Sequence, residues 1–66
     1  MDVNTDKIRL AAAQQGKKLG ELAIIAGVSR QTLSTTMSRK SCRAETAVRI
    51  AKALGVPVED IIIRET

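Results

Sequence analysis

The side chains with the richest hydrogen-bonding chemistry lie between Ser29 and Arg43, and they are not equipped for catalysis. The chain has no histidine, so no side chain is a ready general base near neutral pH. Its seven carboxylates are scattered, and the hydroxyls from Ser29 to Ser41 have no base beside them in the sequence. The one cysteine, Cys42, can neither close an intramolecular disulfide nor hold a metal alone. No catalytic residue, metal or cofactor is expected. The segment does offer Arg30, Gln31, Ser34 and Thr35, a row of donors and acceptors able to reach the edges of bases. It also carries the charge. Residues 17–43 hold Lys17, Lys18, Arg30, Arg39, Lys40 and Arg43 against Glu21, a local +5 in a chain of net +4. A basic middle between near-neutral ends is the footprint of a surface that meets phosphate, the plain alternative being a solvated face with no partner.

Several helices must position this row. The chain lacks Phe, Trp and Tyr and is rich in alanine, which lowers strand propensity and makes helix the default. The same absence removes the stacking platforms that single-strand binders use, so RNA is a distant prospect. Asn4, Thr5 or Asp6 can cap a first helix running to about Gln15, with Gly16 beyond its end and Ile8, Ala11 and Ala12 as its apolar stripe. A second helix covers about Leu19 to Ala26, with Leu19, Leu22, Ala23 and Ala26 on one face, although Lys18 is a poor capping residue. Ser29 is a good cap for a third helix through about Ser38, with Leu33 inward and Thr36 or Met37 one turn on. After a basic loop from Arg39 to Arg43, with Cys42 or Ala44 preceding it, a fourth helix from about Glu45 to Leu54 buries Ala47, Val48, Ile50, Ala51 and Leu54. Gly55 ends it, Val56 staples the turn, and Pro57 opens a fifth helix from about Val58 to Ile63. The fold class expected is all-α, a compact five-helix bundle forming one domain over residues 1–66.

The stretch from Leu19 to Ser34 has the spacing of two helices crossing through a tight turn. Ala23 is small where the helices touch, Gly27 accepts positive φ in the turn, and Leu22, Val28 and Leu33 anchor both sides. The chain here resembles the lambda-repressor-like, Cro/Xre-type helix-turn-helix family, over about Asp6 to Ile62. The resemblance rests on Glu-Leu-Ala-x-x-Ala-Gly-Val-Ser-Arg-Gln-Thr-Leu-Ser at 21–34 and, in register, on Ile-Ala-Lys-Ala-Leu-Gly-Val-Pro at 50–57 followed by Glu-Asp-Ile-Ile. It implies a helix-turn-helix at about 19–38 whose second helix, about 30–38, enters the major groove of double-stranded DNA. Arg30, Gln31 and Thr35 match base-reading positions, with Ser34 beside them. Ser29 and Lys40 or Arg43 match positions that usually hold phosphates, and Lys17, Lys18 and Arg39 are added as phosphate candidates by charge. Family members often carry Thr-Gln where Lys18-Leu19 stands, and Glu-x-Gly where Met37-Ser38-Arg39 stands, so the connection after the third helix is expected to differ in shape.

By this resemblance the protein is expected to be a sequence-specific transcriptional repressor or regulator of phage or mobile-element type. It would be cytoplasmic, since nothing reads as a signal peptide or membrane span, and no small-molecule ligand is evident. The rival is an antitoxin-like interaction module on the same fold, disfavoured because no tail follows Thr66 to wrap a partner. A homodimer on a palindromic operator is expected, formed through Val58, Ile62 and Ile63 at the C-terminal end.

Overall fold

A computed structural model describes residues 1–63. Four α-helices run in order: α1 (Thr5–Gln14), α2 (Leu19–Ala26), α3 (Arg30–Arg39) and α4 (Ala44–Leu54), followed by a single 3-10 turn at Val58–Asp60. Among the described residues the bundle is all-helical with four α-helices rather than five. Beyond Pro57 the chain makes one tight turn and then straightens, because Ile61 is drawn into the core and Ile62 pairs with Val3 as an antiparallel bridge.

Local chemistry explains the helix ends. Asn4 caps α1, its Oδ1 accepting from the Lys7 N–H at 3.1 Å, and the left-handed residue after α1 is Gly16. Lys18 has no acceptor to offer α2; instead Glu21 reaches back and accepts from the Lys18 N–H at 3.4 Å, half of a capping box. Gly27 closes α2 in the left-handed region at φ 73°, and the Val28 N–H returns to the Ala23 carbonyl at 3.0 Å. Ser29 Oγ accepts from the Thr32 N–H at 3.0 Å and starts α3. That helix runs one residue past the expected Ser38, and Lys40 takes the left-handed position at φ 58° where glycine would be at ease. The cap of α4 is Arg43, not Cys42 or Ala44, and Ala44 is already helical.

The core joins Ile8 and Ala12 of α1, Leu22 and Ala23 of α2, Leu33 and Met37 of α3, and Ala47, Ile50, Ala51 and Leu54 of α4. Val48, expected inside, is exposed on α4, and Leu19, expected on the apolar face of α2, is exposed at the first position of that helix. Thr36 and Met37 both point inward; burial of Thr36 is tolerable because its hydroxyl donates to the Thr32 carbonyl at 2.9 Å. Val3 and Ile61 complete the core, each essentially inaccessible.

Val3 belongs to a structural device that periodicity does not reveal. Residues 1–3 thread between the α3–α4 loop and the chain after the 3-10 turn. On one side the Val3 N–H donates to the Lys40 carbonyl at 3.0 Å and the Cys42 N–H to the Met1 carbonyl at 2.9 Å. On the other the Asn4 N–H donates to the Ile61 carbonyl at 2.7 Å and the Ile63 N–H to the Asp2 carbonyl at 2.9 Å. This short clasp ties the loop behind α3 to the end of the fold.

Candidate nucleic-acid interface

The inward residues of α3 are Leu33, Thr36 and Met37, so the helical period leaves Gln31, Ser34, Thr35 and Ser38 along the outer face, all exposed. This outward ridge stands between two grooves. The larger, of about 700 Å³, lies toward the α3–α4 loop and is lined by Ser29, Gln31, Thr35, Arg39 and Arg43 among others. The second, of about 500 Å³, lies toward α1 and α2 and is lined by Arg9, Gly20, Arg30, Ser34 and Ser38 among others. The four base-contact candidates are thus divided, Gln31 and Thr35 on one flank and Arg30 and Ser34 on the other.

Electrostatics favour an anion on both flanks. Among the described residues, none that lines either groove is acidic. The ion pair found among the described residues is Arg49–Glu45 at 3.1 Å on α4, which leaves the arginines of both grooves without a described carboxylate. Arg30 opens α3, where a cation opposes the helix dipole, and its guanidinium packs over Gly20 in the first turn of α2. It therefore sits beside two positive helix ends, an arrangement that an incoming anion relieves.

The phosphate candidates separate in space. Ser29, Arg39 and Arg43 share the larger groove. Lys18 and Lys40 are exposed but line neither groove. Lys17 is committed elsewhere: its ammonium donates to the Ala53 carbonyl at 3.1 Å and to Gln15 Oε1 at 2.7 Å, while Gln15 Nε2 donates to the Leu54 carbonyl at 2.6 Å. These contacts satisfy the carbonyl end of α4, where a cation complements the dipole. The structure gives Lys17 a bracing position and does not bring it to the α3 face. Arg9 was not singled out by sequence, because residues 1–16 sum to zero charge, Lys7 and Arg9 against Asp2 and Asp6; only the packing of α1 beside α2 and α3 turns it into the second groove.

Cys42 is half-buried at the edge of the larger groove. Burial pushes its thiol above the ordinary 9.0, outweighing the positive amino terminus and the Ala47 N–H, both of which favour the thiolate. No group of His, Cys, Asp and Glu able to hold a metal occurs among the described residues.

A bundle whose second and third helices meet at a left-handed glycine, with the third presenting an exposed polar face, defines the class of helix-turn-helix DNA-binding regulators. The family model of the bacteriophage CI repressor helix-turn-helix domain matches residues 8–65, and the chain belongs to that family. Its character is therefore that of a repressor-type regulator that binds double-stranded DNA. None of the curated proteins matches the chain significantly. Among the described residues no helix is long and apolar enough to cross a membrane.

Proposed function

We propose that this protein is a sequence-specific repressor that inserts α3 into the major groove of a palindromic operator, acting in the cytoplasm as a single domain over residues 1–66. The observation that carries the reading is the exposed ridge of α3 between two grooves lined by arginines that form no ion pair among the described residues. A duplex offers the complementary shape, a groove floor of base edges between two phosphate rails. Arg30, Gln31, Ser34 and Thr35 are the base readers in this reading, while Ser29, Lys18, Arg39, Lys40 and Arg43 hold phosphates and fix register.

Selection of bound sequences from a random duplex pool at fixed salt tests it. A defined consensus is expected, with Arg30→Ala and Gln31→Ala each costing about 1–3 kcal/mol at that site and relaxing one base position. Enrichment of no consensus, or equal loss on operator and random DNA in both variants, overturns sequence-specific reading by α3.

The proposed active form is a homodimer, because one recognition helix reads too few base pairs and two-fold pairing suits half-sites about 10 bp apart. Support comes from Ile63, which remains 49% exposed beside the half-buried Val58 and Ile62. Ile63→Glu should give a folded monomer with much weaker operator binding. Sedimentation with and without operator checks this; one protomer per full site refutes it.

A further inference from the structure

We infer that Arg9, on α1, is a phosphate contact, so that the DNA surface extends beyond the helix-turn-helix onto the first helix. The inference rests on the duplex-binding reading above and deepens it. Arg9 is exposed and lines the same groove as Gly20, Arg30, Ser34 and Ser38. That groove joins three helices, carries two guanidinium groups and, among the described residues, includes no acidic side chain in its lining. Two cations facing one concavity raise its free energy unless an anion lies between or beside them. The hydroxyls of Ser34 and Ser38 add donors on the opposite wall. A phosphodiester is the anion this chemistry fits, since guanidinium forks match phosphate oxygens and the groove directly adjoins the base-reading ridge. Arg39 and Arg43 stand in the corresponding place on the other flank of α3. A duplex straddling the ridge then meets Arg9 along one rail, beside the base-reading Arg30, and Arg39 and Arg43 along the other.

Lys7 is the internal control. It is also exposed on α1 and of the same charge, but it lines a separate depression with Leu10, Gln14 and Ile61. Removing either charge changes net charge equally, and only one of them faces the groove.

The experiment measures affinity for a random-sequence duplex and for the selected operator as salt is varied, using the whole chain. Arg9→Gln should weaken both by about fivefold to tenfold near 0.1 M salt and lower the slope of log affinity against log salt by about 0.9. Arg9→Lys should keep most of the slope, and Lys7→Gln should change it far less than Arg9→Gln does. Phosphate ethylation interference should lose one protected position in Arg9→Gln. Circular dichroism melts confirm that these surface variants fold. Equal effects of Lys7→Gln and Arg9→Gln would reduce the result to net charge and overturn the contact. An unchanged slope in Arg9→Gln, with Arg43→Gln still lowering it, would refute Arg9 while leaving the duplex reading intact. Failure of the parent to bind any duplex would overturn both.

Discussion

The guanidinium of Arg30 lies over Gly20, with Nε 3.6 Å and one terminal nitrogen 3.7 Å from the point a Cβ on Gly20 would occupy. A carboxylate introduced there meets the guanidinium directly. Gly20→Asp should therefore stabilise the fold by about 0.3–1 kcal/mol, since an acid in the first turn of α2 suits the helix dipole. The same substitution should weaken duplex binding severalfold, because the engaged guanidinium is lost to the DNA. Chemical denaturation and a binding titration on one preparation give the two opposite signs. Concurrent loss of stability and affinity would count against the placement of Arg30.

Gly27 combines φ 73° with a near neighbour, Arg49 Nη1, 3.4 Å from its would-be Cβ. Gly27→Val should cost about 2 kcal/mol or more, since a β-branched residue resists the left-handed region and Arg49 must shift as well. With so small a core the melting temperature should fall by roughly 10 °C or more. A melt within a degree of the parent would contradict the turn geometry.

Val3 is fully buried within the amino-terminal clasp. Truncation by Val3→Ala should cost about 2 kcal/mol from lost apolar burial and the void left behind. Amide exchange at Cys42 and Ile63, whose N–H groups donate to Met1 and Asp2, should quicken together. Exchange that quickens only near Val3 itself would show that the clasp does not act as a unit.

Lys40 holds φ 58°, and among the described residues it is the non-glycine in the left-handed region. Its N–H donates to Thr36 and its carbonyl accepts from Val3, which fixes it there. Lys40→Gly should raise stability by about 0.5–1 kcal/mol by relieving that conformation. It should also weaken random and operator duplexes alike if the ammonium meets phosphate, flattening the salt slope by about 0.9. A thermal melt paired with a salt titration separates the two effects.

Cys42 makes stability depend on alkaline pH. Its folded thiol titrates above the unfolded value of 9.0, so the folded state binds the proton more tightly. This contribution is fully present below the unfolded value and is lost as pH rises through the folded one. Cys42→Ser should remove that part of the alkaline decline, read as a smaller drop in unfolding free energy between about pH 8 and 10 than in the parent. Identical declines in the two proteins would refute the linkage.

Local rules determined the helices. The spacing of Leu22, Ala23 and Ala26, the cap at Ser29 and the left-handed Gly27 are properties of neighbouring residues, so α1 to α3 and the turn between α2 and α3 were legible from the chain alone, with Asn4, Thr5 and Asp6 left as alternative caps of α1. The outward polar row on α3 was legible for the same reason, since helical period and the position of Leu33 decide which side faces out. What followed Pro57 was not. Four large apolar residues within Val58 to Ile63 read as a helix, yet Val3 offers a backbone edge to Ile62, and hydrogen bonds to residues some sixty positions away leave no local trace. Charge partnership was equally hidden. Lys17 and Arg9 are both ordinary cations in the sequence, but tertiary packing lays the first against the Ala53 carbonyl and turns the second into a groove with Arg30. Which cations are free for a ligand depends on distances between helices, and those distances were set by the burial of Val3, Ile8, Ile50 and Ile61 in a common core.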